Sequence, residues 1–314
     1  MGVIGDFIGD VVEVIVFGIQ TGAIYSLVGL GLALVYKATR ILNFAQGALG
    51  TAPAFVAYLV MVSFNLSEDT PALNDGLLIP ATFAAIAAGA VLGILLNVLV
   101  VRRLANASPV TSLVATVGVV ILFSAVQIII FEPRARSFPR FVDGNVDIPL
   151  FDVAMTKHTL VALGVLAITA GALAAFFRTP QGVGLLATAQ EPFAAELQGV
   201  PVARMRTLAW GAAGAMGGLA GVLGAGFFQA ISPGFMTTTF LIPAFTGVVL
   251  GGITSMVGAV LGGFLIGITE SAATKLVLTF EVSDKLPGPP QTAVLLVLLA
   301  ILLFRPRGLL GQEA

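Results

Sequence analysis

The chain has 314 residues, 58% of them hydrophobic and only 10% charged, with a formal net charge of −1. A soluble domain carries about 25% charged residues, so lipid is the expected solvent, and the near-neutral charge argues against nucleic acid as a partner. Cysteine is absent and histidine occurs once, at position 158, which excludes disulfides, thiolate chemistry and cysteine-bound metal clusters and leaves little from which to build a catalytic metal site.

In chain order, apolar runs long enough to cross a bilayer, about 20 residues each, occupy 11–36, 41–64, 77–101, 110–131, 158–177 and 207–228. Asp6, Asp10 and Glu13 stand where a signal peptide would carry positive charge, so the first run reads as a span. After Pro233 the stretch 240–276 is apolar but interrupted by Pro243, Gly247, Gly251, Gly252, Gly258, Gly262 and Gly263, which predicts a helical hairpin turning near Thr254 and Ser255. A final run covers 289–304. The expected fold is all-α: a polytopic transmembrane bundle of about eight or nine segments, some broken by glycine, forming one domain over 1–314.

Placement of Lys and Arg gives the orientation. With the N-terminus outside, Lys37, Arg40, Arg102, Arg103, Arg178, Arg204, Arg206, Arg305 and Arg307 fall in the cytoplasm, against Arg134, Arg136, Arg140, Lys157, Lys275 and Lys285 outside. The C-terminus and the 178–206 loop are then cytoplasmic, and 132–157 is the largest external loop. That loop mixes its arginines with Glu132, Asp143, Asp147 and Asp152, so it reads either as a landing patch for a soluble protein or as a solvated connection.

Three features stand out against this background. First, glycine pairs four apart recur: Gly18/Gly22, Gly89/Gly93, Gly214/Gly218, Gly247/Gly251, Gly258/Gly262 and Gly263/Gly267. Each clears one helix face for a neighbouring backbone, which is packing and not chemistry. Second, Asn43, Phe44, Gln46 and Gly47 follow the first cytoplasmic turn, with Gly50 and Pro53 behind them, and predict an irregular or broken span. Paired with the interruption at Gly251 and Gly252 in the other half, this marks a candidate translocation pathway; the alternative is that Asn43 and Gln46 cap a helix at the cytoplasmic surface. Third, Glu191-Pro192-Phe193-Ala194-Ala195-Glu196-Leu197-Gln198-Gly199 reads as a short helix with both ends marked, proline at its first position and glycine just past its last. Phe193 and Leu197 share a face. Two turns do not hold themselves together in water, so the segment is expected to dock a cytoplasmic partner.

The remaining polar residues of the spans have bland readings. Glu270, Ser271, Thr274 and Lys275 form a polar end to the hairpin, read as an interfacial anchor or a cavity lining. Gln20, Asn97, Gln127 and Gln229 either line a pathway or bond between helices, and His158 is expected at the interface. No G-x-x-x-x-G-K-S/T phosphate loop, catalytic triad or H-E-x-x-H motif is present.

Several segments taken together resemble the LivH-type permeases of branched-chain amino-acid ABC importers. They are Gly22-Ala23-Ile24-Tyr25-Ser26-Leu27, Gly29 to Tyr36, Leu42-Asn43-Phe44-Ala45-Gln46-Gly47, Ala187 to Val200, Gly247 to Ile253 and Leu303 to Gly311. One departure is Gln46, where that family more usually has histidine. The resemblance implies an inner-membrane subunit that binds no cofactor of its own, ATP being bound by partner subunits. It implies as partners a second permease subunit (a sibling or the same chain), two cytoplasmic ATPase subunits and an external substrate-binding protein. It also implies that Glu191, Ala194, Ala195 and Gly199 belong to a coupling helix, with Pro192, Phe193 and Leu197 completing it, and that transport proceeds by alternating access. The expected cargo is a branched-chain amino acid, with urea, short amides or another amino acid as alternatives. A stand-alone facilitator or secondary transporter would need no ATPase and would leave the capped cytoplasmic helix unexplained; a membrane enzyme would lack any catalytic set.

Overall fold

The computed structural model describes residues 3–63, 75–104, 107–148, 153–279, 288–305 and 308–310. Of the residues singled out above, Asp152, Lys285, Arg307 and Gly311 lie outside that set. Eleven α-helices follow in chain order among the described residues. They are α1 (Val3–Thr39), α2 (Ala48–Ser63), α3 (Leu78–Leu99), α4 (Pro109–Phe131), α5 (Lys157–Phe176), α6 (Pro180–Gln190), α7 (Pro192–Leu197), α8 (Val202–Phe228), α9 (Ile242–Gly251), α10 (Met256–Thr279) and α11 (Pro289–Phe304). Among the described residues seven helical segments are long and apolar enough to cross a membrane, and two shorter apolar ones, Met236–Gly251 and Pro289–Phe304, complete the set anticipated from the runs. The protein is a multi-pass transmembrane helical bundle.

Helix α1 is the axis of the bundle. Its stretch from Ile24 to Val35 is buried almost throughout, enclosed by α8, α9 and α10. Glycine makes this possible, and the six pairs read from the sequence meet one another. Gly18 and Gly22 of α1 lie against Gly267 and the Gly263–Phe264 backbone of α10. Gly89 and Gly93 of α3 lie against Gly214 and Gly218 of α8, where a Cβ on Gly89 would stand 2.1 Å from the Gly214 carbonyl oxygen. Gly247 and Gly251 of α9 lie against Gly262 and Gly258 of α10, where a Cβ on Gly251 would stand 1.8 Å from the Gly258 carbonyl oxygen. In lipid there is little hydrophobic gain in bringing helices together, so dispersion between closely apposed backbones is the main attraction. By contrast α4 and α5 are mostly exposed, with Ile121, Ile129 and Ile168 on their outer faces; in a bilayer such faces meet lipid tails or another subunit.

The hairpin turns where the sequence predicts it. α9 ends at Gly251, Gly252 adopts φ +102, and the Ser255 hydroxyl accepts the Gly258 amide at 3.0 Å to start α10. The last carbonyls of α9, which lack helical partners, are satisfied from an unexpected quarter: the amides of Leu309 and Leu310 donate to the Leu250 and Gly251 carbonyls at 2.7 and 3.0 Å. Gly308, at φ +72, lets the 308–310 segment lie on α9, since a Cβ there would meet the Val249 carbonyl at 2.5 Å.

One connection gains detail and one expectation needs correcting. The 132–157 connection is partly ordered: β1 (Arg136–Ser137) pairs antiparallel with β4 (Ala230–Ile231), and β2 (Asn145–Ile148) pairs with β3 (Val153–Thr156). His158 is buried, not interfacial. Its Nδ1 accepts the Phe141 amide at 3.3 Å, so the neutral ring must carry its proton on Nε2, which donates to the Leu223 carbonyl at 2.9 Å. The lone histidine thus ties α5 and the 132–157 connection to α8. Three of the span amides bond between elements: Gln20 accepts from Thr159, Asn97 donates to Thr207, and Gln127 accepts the Gly234 amide. Gln229 instead ends α8 in the left-handed region at φ +52.

Candidate functional site

The break between α1 and α2 begins with a backbone event. Arg40 takes φ +57 and ends α1, then residues 44–46 form one turn of 3-10 helix and Gly47 re-enters helical geometry. Asn43 makes no side-chain cap. Asn43 and Gln46 are each only 1% exposed: the Asn43 Nδ2 donates to the Gln46 Oε1 at 3.1 Å, and the Gln46 Nε2 donates to the Ala213 carbonyl of α8 at 3.0 Å. Asn43 Oδ1 is buried with no partner among the described residues. The amide of Phe44 donates to Thr116 of α4 at 3.4 Å, and the Phe44 ring packs on Phe245 with centroids 5.4 Å apart.

Glycine admits this knot. Gly31 leaves room for the Gln46 amide, since a Cβ there would stand 2.4 Å from Nε2. Pro53 lies inside α2 without breaking it; its missing N–H frees the Leu49 carbonyl, and that oxygen is one a Cβ on Gly217 of α8 would meet at 2.7 Å. The irregularity is therefore confined to 40–47, ahead of the proline.

The irregular segment that meets 43–47 is different from the one the sequence suggested. It is a six-residue π-helix, Met236–Leu241, a form that often marks functional sites. The Met236 amide donates to Thr51 Oγ1 at 3.2 Å, and Gly47 sits so close to Thr237 that a Cβ would stand 2.6 Å from its hydroxyl oxygen. That hydroxyl is buried without a partner among the described residues. Gly251 and Gly252 lie instead at the hairpin turn, against Gly258 and the 308–310 segment. Thr51, Thr116 and Thr237 escaped sequence reasoning because threonine in an apolar run is unremarkable; the run Thr237-Thr238-Thr239 just after Gly234 was the available signal.

On the face that carries Arg178 and Arg206, the 178–206 segment contains more helix than the one anticipated. Thr179 caps α6 by accepting the Gly182 amide at 3.2 Å, with Pro180 at the first position. Then Glu191 leaves helical geometry and Pro192 opens α7. The C-terminal end is a Schellman motif: the Val200 amide donates to the Ala195 carbonyl and the Gly199 amide to the Glu196 carbonyl, with Gly199 at φ +80. Ala195 is buried against the bundle and Ala194 is exposed. Phe193 and Leu197 are 70% and 71% exposed, an apolar pair presented outward on a six-residue helix.

These features coincide with one known family. The family described as branched-chain amino acid transport system / permease component matches residues 14–305. The chain is 29% identical over 296 residues to a probable branched-chain amino acid transport permease protein LivH of Methanocaldococcus jannaschii, covering 91% of this chain and 88% of that protein. It is 27% identical to the high-affinity branched-chain amino acid transport system permease protein LivH of Escherichia coli, with 94% of each covered. BraD of Pseudomonas aeruginosa, a permease protein of the same description, is 26% identical with 95% of each covered. The chain belongs to the branched-chain amino acid transport permease family.

Proposed function

We propose that this chain is the membrane-spanning subunit of an ATP-driven importer that carries amino acids, with branched-chain ones first, inward across the cell membrane. It lies with its N-terminus outside. The single observation that carries the ATP-driven part of this reading is α7: a short helix opened by Pro192 and closed by the Gly199 turn, which presents Phe193 and Leu197 to solvent on the same connection as Arg178 and Arg206. Such a pair is an anchor of the kind that fills a groove on a protein partner, and two nucleotide-hydrolysing subunits are the partners this family reading supplies.

In this mechanism ATP binding closes the two motor subunits, and α7 moves with the groove that holds it. Ala195, buried against this chain, together with the backbone links to α6 and α8, transmits the displacement to the bundle. The helix α8 carries Ala213 and Gly217, which hold the broken segment 43–47. Movement of α8 therefore changes the surroundings of Asn43, Phe44, Gln46 and Gly47, the proposed pathway. Gly251 and Gly252 act as the turn that lets α9 and α10 shift together. A second permease subunit completes the pathway, and an external binding protein delivers substrate at the face carrying β1 to β4.

Reconstitution in proteoliposomes with candidate motor subunits and binding protein, followed by uptake of leucine, isoleucine, valine, other amino acids and urea, tests the reading. ATP-dependent accumulation of the branched-chain amino acids is the expected result. Equal accumulation without ATP or without motor subunits would overturn it, and uptake of urea alone would replace the cargo.

A further inference from the structure

A cavity of about 620 Å³ opens between α1, α10 and the end of α8 and reaches the π-helix at Thr239, away from the α7 segment. Its volume is that of a small-molecule site, which spans roughly 300–1,000 Å³. One wall is apolar and aromatic, built from Phe17, Phe227 and Phe228; the other carries Glu13, Tyr25, Glu270, Ser271 and Lys275. Glu270 stands fourteen residues into α10, so a carboxylate is held about 21 Å along that helix. Ionisable groups at such depth are costly and mark functional sites by default.

The hydrogen bonds leave a specific set of groups free. The Tyr25 hydroxyl donates to Glu270 Oε2, and Oε1 accepts nothing among the described residues. Lys275 Nζ gives two of its three protons to Asp10 and Glu13 of α1. The Ser271 hydroxyl, one turn from Lys275, has no partner among the described residues. Beside the Glu13 carboxylate, which is engaged with Lys275, the wall thus offers an oxygen of Glu270, an ammonium proton of Lys275 and the Ser271 hydroxyl, opposite three phenyl rings. An apolar amino acid in its zwitterionic form presents the complement: an ammonium, a carboxylate and an aliphatic side chain.

Resting on the importer reading above, we propose that this cavity is a station for the transported amino acid. The substrate ammonium is held by Glu270 Oε1, its carboxylate by Lys275 and Ser271, and its side chain by the phenylalanine wall. Tyr25 is a positioning residue that fixes the carboxylate.

Leucine moved per ATP hydrolysed, measured at saturating loaded binding protein, tests this in the reconstituted complex. Glu270→Gln is expected to lower that ratio about tenfold, the effect of losing one charge-assisted contact, with stimulated ATP hydrolysis unchanged within about twofold. Tyr25→Phe, which retains the carboxylate, is expected to lower it less. A diazirine-bearing leucine analogue on the wild-type complex is expected to label peptides 14–25 and 270–278, and decides the matter if the glutamine variant does not assemble. An unchanged ratio in Glu270→Gln, or labelling confined to other peptides, would overturn the station alone. Failure of the wild-type complex to move leucine with ATP would overturn the importer reading as well.

Discussion

Gly199 has open space around it, since a Cβ built there meets nothing within 4 Å, yet its φ is +80. The demand on this position is therefore conformational and not steric. A β-branched side chain in left-handed geometry costs about 1–2 kcal/mol, comparable with everything that holds a two-turn helix. Gly199→Val is expected to unwind the last turn of α7, releasing Leu197 from the face it shares with Phe193, whereas Gly199→Asn should be tolerated because asparagine visits that region readily. Co-purification of the motor subunits with each variant checks this; equal recovery with Val and Asn would remove the backbone argument. Gln46 makes the opposite kind of demand. Its amide is the only link of the broken segment to the α8 carbonyl at Ala213 given by the described hydrogen bonds, and Asn43 leans on it. Gln46→Leu leaves the buried Asn43 amide unpaired, at about 1–3 kcal/mol. The expected outcome is a lower melting temperature together with slower uptake. Equal melting and uptake for Gln46→Leu and the parent would show that the knot holds nothing.

At the scale of elements, the helix contacts sort the glycines into two groups that respond oppositely to alanine. Gly89, Gly214, Gly251 and Gly262 each face a backbone oxygen within 2.1 Å of where a Cβ would stand, so Gly89→Ala must push α3 from α8. Gly118, Gly164 and Gly171, on the outer helices, meet nothing within 4 Å; there alanine gains helix propensity of roughly 0.5–1 kcal/mol. Thermal melting in detergent is expected to fall for Gly89→Ala and to hold or rise for Gly164→Ala, and the same sign for both would remove close backbone apposition as the source of cohesion. The periodic spacing made these pairs legible in the sequence, as did the apolar runs that became α1 to α5, α8, α10 and α11. Which pair meets which was not legible, because a Gly-x-x-x-Gly face specifies a close neighbour without naming it. The same limit explains the second irregular segment. Pro243 and the glycines drew attention to 240–276; Pro243 lies in a helix continuous from Met236, so its missing N–H and its ring are felt in the turn before it. The distortion falls just before it, at 236–241, in residues with no helix-breaking type except Gly234 upstream. Likewise Glu270 and Lys275 read as an anchor since their partners, Tyr25 on one side and Asp10 and Glu13 on the other, come from the far end of the chain.

For the whole molecule, orientation decides what each feature can do, because α7 can meet a nucleotide-driven partner only from the cytoplasm and the strand pairs can meet a binding protein only from outside. The chain itself supplies the means to measure it. It contains no cysteine, so a single introduced thiol is the one reactive group of its kind. Asp143 lies exposed on the connection between β1 and β2, and Gln198 lies exposed just beyond α7; neither packs against anything whose loss would disturb the bundle. The two positions are separated by α5, a single span of 20 residues, and so must lie on opposite sides of the membrane. Arg178, Arg204 and Arg206 flank Gln198, and the excess of basic residues in short connections is retained in the cytoplasm. Asp143→Cys is therefore expected to react with a membrane-impermeant maleimide in intact cells, and Gln198→Cys only after the membrane is opened. The reverse pattern would invert the protein, place Phe193 and Leu197 where no ATP is available, and remove the physical basis for an ATP-driven stroke delivered through α7.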